Sequence, residues 1–217
     1  MKKIALLIPL ALLITSCEIF KMGYENSRHS AGIEGGGNTS QRSYTESYSY
    51  FSGDPITTEG KSEAHLTFSA PDGLSMISPE KVTELASCDV ADFFIGATET
   101  QNVGTREDSW LFIGASSSYT DGYLTLSFNA QIKDLIIEAT PYYYEDTSWN
   151  ENTLVVDQGV CVAVNNSGYI RLSTIANEEN TEVNKTDCRY HFAETQNQIK
   201  IKVGGQKAFI KKITLYY

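Results

Sequence analysis

The sequence predicts an all-β protein, an antiparallel β-sandwich of jelly-roll-like layout. Three observations carry that expectation. The first is composition: the 217-residue chain holds 13 Tyr and 9 Phe within a hydrophobic fraction of 41%. Such aromatic residues, with Val, Ile and Thr, suit a pleated, half-buried surface. The second is period: from Ile56 onward, short runs alternate apolar with polar residues. The third is punctuation, since Asp121-Gly122, Asn166-Ser167-Gly168 and Gly204-Gly205 separate those runs. Alternation marks strands with one buried and one wet face, and such dipeptides mark the turns between them.

The chain opens on Lys2 and Lys3, followed by the unbroken apolar run "IALLIPLALLI" at 4–14. A helix that crosses a bilayer needs about 20 apolar residues, so this run is too short to span. A basic start, a short apolar run and small residues before a cut site describe a secretory signal peptide, expected over residues 1–16. Ile14-Thr15-Ser16-Cys17 resembles the lipobox of bacterial lipoproteins. The resemblance implies that the Cys17 thiol carries a diacylglyceryl group and that cleavage makes Cys17 the new N-terminus. Two acyl chains then hold a protein stably on a membrane. The expected location is the bacterial cell envelope, lipid-anchored and outside the cytoplasm. An ordinary secretory signal with an incidental cysteine is the alternative.

Residues 17–54 show no apolar period. Gly35-Gly36-Gly37 and many Ser, Asn and Tyr residues predict a flexible tether. A loose coil of this length reaches about 35 Å. The repeated Tyr44, Tyr48 and Tyr50 offer another reading, the start of a strand.

The folded domain is expected over residues 55–217. Its strands are read from "AHLTFS" (64–69), "DVADFFIGA" (89–97), "SWLFIGA" (109–115), "GYLTLSF" (122–128) and "IKDLIIEA" (132–139). They continue through "GVCVAV" (159–164), "GYIRLS" (168–173), "CRYHFA" (188–193), "QIKIKV" (198–203) and the closing "AFIKKITLYY". One short helix is predicted in "SPEKVTELAS" (78–87), with Ser78 as cap, Pro79 at the first helical position and Glu80 in the first turn.

Three stretches, "FIGASSSYTDGYLTLSF", "IKDLIIEATPYY" and "QIKIKVGGQKAFIKKITLYY", together resemble a known β-sandwich module. It is a jelly roll of the galactose-binding type, found in surface and secreted proteins of Gram-positive bacteria and beside extracellular endonucleases. The resemblance covers about residues 109–217. It implies the fold and carries over no catalytic residue. At Asp157-Gln158-Gly159 this chain departs from the Asn-Gly turn usual in such modules.

Site chemistry is sparse. His29, His65 and His191 do not form the spaced cluster that zinc needs, and no metal or cofactor is expected. No nucleophile elbow and no phosphate loop occurs, so the chain is expected not to be an enzyme. Paired carboxylates of a hydrolase remain the third option. The net charge is −10, and losing residues 1–16 would make it two charges more negative. Such a chain is poorly suited to nucleic acid. Cys161 and Cys188 lie on predicted strands and would form a disulfide if those strands are neighbours; otherwise Cys88, Cys161 and Cys188 are small buried thiols.

"PYYYEDTSW" (141–149) is the candidate ligand site, with Tyr143 and Trp149 as rings that stack on a sugar. Glu145, Asp146, Asn150 and Asn152 would meet its hydroxyls. Alternatively, the tyrosines pack at a strand end. Lys200, Lys202, Lys207, Lys211 and Lys212 would form a basic face for an anionic polymer, or a plain solvated edge. The expected function is a surface-displayed, non-catalytic binding module, its partner an extracellular glycan or envelope polymer. The alternative is a structural lipoprotein that contacts another envelope protein.

Overall fold

Two long strands organise the protein: β8, Gly122–Pro141, and β13, Thr186–Gly204. They pair antiparallel from Thr186 opposite Ala139 to Val203 opposite Gly122. The computed structural model describes residues 50–69, 75–106, 110–115, 121–146, 153–174 and 184–217, all within one unit of the chain. Alternation predicts two strands in each long stretch, and the structure joins them. The register of β13 against β8 breaks between His191 and Gln196 and again between Gln196 and Gln198. Such bulges bend a strand pair and sharpen its twist. That bend lets one pair serve both layers of a sandwich.

The first layer uses the first half of β8 and the second half of β13. On one side lies β5, Phe94–Gln101; on the other lie β11, Cys161–Val164, and β12, Ile170–Arg171. The second layer uses the opposite halves. There β13 is flanked by β1, Tyr50–Gly53, and β8 by β14, Ala208–Tyr216. Strand β14 then pairs with β2, Glu63–Phe68, which pairs with β4, Ala86–Cys88. The first residues of β14 also pair with β7, Trp110–Ile113, leading to β6, Val103–Arg106, and β3, Ser75–Met76. A separate hairpin joins β9, Tyr143–Asp146, to β10, Thr153–Val156.

The core explains why the alternation was so regular. Leu124, Leu126 and Phe128 from one half of β8 meet Leu135 and Ile137 from the other, with Ile199, Ile201, Val203, Ile213 and Leu215, in a single buried cluster. Each fully buried aliphatic side chain stabilises by about 1.5–3 kcal/mol. The Tyr190 hydroxyl donates to the Val162 carbonyl at 2.8 Å, so this buried ring keeps a partner.

Helix α1, Pro79–Leu85, forms where predicted. The Ser78 side chain accepts from the Lys81 N–H, and Pro79 occupies the first turn. Val82 is buried against the core. Thr83 Oγ1 accepts from the Ala97 N–H at 2.9 Å, which docks the helix on β5. Among the described residues no helix is long and apolar enough to cross a membrane.

Strand β1 lies inside the span expected as tether. It pairs parallel with Thr186–Arg189, the one parallel pairing among the described strands. Only polar contact and one exposed ring mark it: the Arg189 guanidinium lies 4.2 Å over Phe51, which is 53% exposed. Gly53 adopts φ 109, and a Cβ there would lie 2.2 Å from the Arg189 carbonyl oxygen. Glycine is what lets the chain leave the strand so close to its neighbour.

Candidate functional site

Tyr142 and Tyr143 face inward. Trp110, Phe112 and Phe209 form a second buried cluster, and Tyr142 and Tyr143 pack on it. The Tyr143 ring meets Phe209 edge-on at 5.7 Å, and Tyr142 lies 5.3 Å from the same ring. Tyr143 is therefore a wall of a small core. Trp149, Asn150 and Asn152 lie outside the described residues, as do the side chains of Glu145 and Asp146. Cys17 and the tether to residue 49 lie outside them as well.

The five lysines divide among three surroundings. Lys207 sits 5.0 Å over Phe112 and 4.9 Å over Tyr142, and Lys211 sits 3.8 Å over Trp110. Burial pushes the Lys207 ammonium below its ordinary range, against the pull of Asp157. Lys212 faces the Asp187 carboxyl, which burial pushes upward. Lys200 and Lys202 lie elsewhere, on the second half of β13.

Cys161 and Cys188 do lie on neighbouring strands, but they are free thiols. The register separates them: Cys161 is opposite Gly204, whereas Cys188 is at the other end of β13, opposite Ile137. Burial raises the Cys188 thiol far above its ordinary range, so it behaves as a small hydrophobe.

Both histidines on strands are engaged with carboxylates. His65 faces Asp89 through Nδ1 and Glu63 through Nε2, each at 2.6 Å. His191 Nδ1 lies 2.7 Å from Oδ1 of Asp134, a carboxylate with no exposed surface. Lys61 donates to the other Asp134 oxygen and, at 2.5 Å, to the Thr57 carbonyl. Among the described residues no group of three His, Cys, Asp or Glu side chains is placed to hold a metal ion.

The open site is a groove of about 410 Å³ lined by Asn165, Asn166, Gln196, Asn197, Gln198, Lys200 and Lys202. Two segments build it, the turn after β11 and the bulged part of β13. Register brings them together, since Val164 pairs with Ile201. Asn165 takes φ 53, a left-handed conformation that asparagine tolerates better than most residues. Ser167 closes the turn: its N–H donates to the Val164 carbonyl and its Oγ accepts from the Val164 N–H, both at 2.9 Å.

Within the groove, side chains fall into two groups. Asn165 Oδ1 accepts from the Lys200 N–H at 2.7 Å, and its amide nitrogen donates to Gln196 Oε1. Gln196 donates to the Glu194 carbonyl, and Gln198 to Ser127 Oγ. Lys200 lies 3.6 Å over the Tyr123 ring and 3.2 Å from Glu99 Oε2. These four, Asn165, Gln196, Gln198 and Lys200, are the frame. Asn166, Asn197 and Lys202 line the same groove, and among the described residues their side chains make no hydrogen bond or ion pair.

That chemistry suits a hydrated ligand. An amide both donates and accepts, as a sugar hydroxyl does, and an ammonium only donates. The sequence held the signal in "VNNSG" and "ETQNQIK", two amide-rich segments. Only the pairing of β11 with β13 makes them one site. No known protein family, curated protein or solved structure matches the chain.

Proposed function

We propose that this protein is a lipid-anchored, non-catalytic binding module displayed outside the cytoplasm, whose ligand is a carbohydrate or another hydroxyl-rich polymer of the cell envelope. The groove carries the reading: three uncommitted polar side chains stand in a frame of four committed ones. The committed residues hold the shape before a ligand arrives, which limits the ordering cost of binding. The anchor part of the reading rests on Ile14-Thr15-Ser16-Cys17.

A contact surface for an envelope protein is the second reading. It calls for a contiguous apolar face. Among the described residues the exposed large apolar side chains are Phe51, Met76, Ile95 and Tyr169.

The test is an array of glycans and cell-wall polymers probed with the full chain in detergent. Binding that is lost in Asn166→Ala/Asn197→Ala supports the reading, and silence across the array defeats it. In intact cells, a Cys17→Ala form is expected to leave the membrane fraction; retention there would remove the anchor.

A further inference from the structure

We infer that the groove selects an acidic sugar carrying a single carboxylate, a uronate-type unit, with Lys202 as its counter-charge. The inference rests on the binding reading above and adds the ligand's charge. Two lysines line the groove, and their surroundings differ. Lys200 is already matched by Glu99 at 3.2 Å and lies over the Tyr123 ring. Lys202 has no partner among the described residues. The groove therefore offers one unmatched positive charge, in a chain whose net charge is −10.

Lys202 points out of the same strand face as Lys200, because side chains two apart on a strand share a face. It is half-buried, so an anion at its ammonium is partly shielded from water. Charge-assisted hydrogen bonds are roughly twice as strong as neutral ones. Asn166 and Asn197 supply donors and acceptors for ring hydroxyls beside that charge. A neutral sugar would leave Lys202 without its match. A dianion would need Lys200 as well, which Glu99 holds.

The experiment titrates the full chain in detergent with oligogalacturonate, its methyl-esterified neutral form and a glycerol-phosphate polymer, by calorimetry. The acidic oligomer is expected to bind about tenfold tighter than its ester. Lys202→Gln is expected to abolish that preference. Glu99→Gln frees Lys200 and is expected to strengthen acidic binding several-fold, a gain that no folding defect imitates. Equal affinity for acid and ester would overturn the inference and leave the binding reading standing. So would an acid preference that survives Lys202→Gln. Preference for the phosphate polymer over oligogalacturonate would overturn the carboxylate assignment. No binding to any of the three would overturn the inference, while the polymer array separately decides the broader reading.

Discussion

Lys202 stands on β13, and Lys61, just before β2, reaches Asp134 on β8; their situations are opposite. Lys61 meets Asp134, a carboxylate fully removed from water, which His191 also contacts. Every strong group in that cluster is matched. Lys202 lies in an open groove and is matched by nothing among the described residues. The buried cluster matches every charge and ties its elements together, whereas the open groove leaves one lysine unmatched among the described residues.

The largest expected effect breaks the buried cluster. Lys61→Met leaves the Asp134 charge buried with one partner, and we expect a loss of about 3 kcal/mol in a urea melt. Adding Asp134→Asn to that variant should recover part of the loss, because the stranded charge is gone. Asn165→Ala is next, at about 2 kcal/mol, since it strands the Lys200 N–H and puts a left-handed φ on alanine. His191→Ala is expected to cost about 1 kcal/mol, as its ring is half-exposed.

Exposed, matched groups sharpen the contrast. The His65 backbone N–H, and then its ring, hold the Asp89 carboxyl below its ordinary value of 3.8. A lowered value means the unfolded chain binds that proton more readily. The stabilisation is therefore present above that pH and is lost as pH falls beneath it. Asp89→Asn should melt slightly lower than the parent at neutral pH, with the gap closing in acid. Thermal melts across that range test it. At the bottom of the scale, Lys202→Gln should leave the melting point unchanged, within about 0.5 kcal/mol.

Much of this architecture was legible because a two-residue period survives in any strand with one buried face. "QIKIKV" shows it plainly: Ile199, Ile201 and Val203 are buried and the lysines between them are not. The helix was legible from its cap, Ser78 with Pro79. The joins were hidden. Residues 194–197 are polar and separate two runs read as distinct strands, yet they belong to the bulged part of β13. Alternation also fails to say which sheet covers a face, so the sequence left open whether the tyrosines after Pro141 meet a ligand or pack at a strand end; Tyr142 and Tyr143 pack on Phe209. Strand β1 shows no period and its partner lies far along the chain; only Tyr50, the last of the repeated tyrosines, hinted at a strand start. The groove was invisible for the same reason, being a product of register between β11 and β13.

The parallel pairing of β1 sets how the domain bears load. A pull on the chain before Tyr50 draws β1 along its own axis toward its N-terminal side. Resistance at the groove acts on the far half of β13, beyond the C-terminal end of the same pairing. The two strands then slide against each other, so the rungs between Tyr50–Gly53 and Thr186–Arg189 share the force at once. An antiparallel first strand pulled from that end would surrender its rungs one by one. A pull from the N-terminal side against a load at the groove would therefore act on β1 in shear.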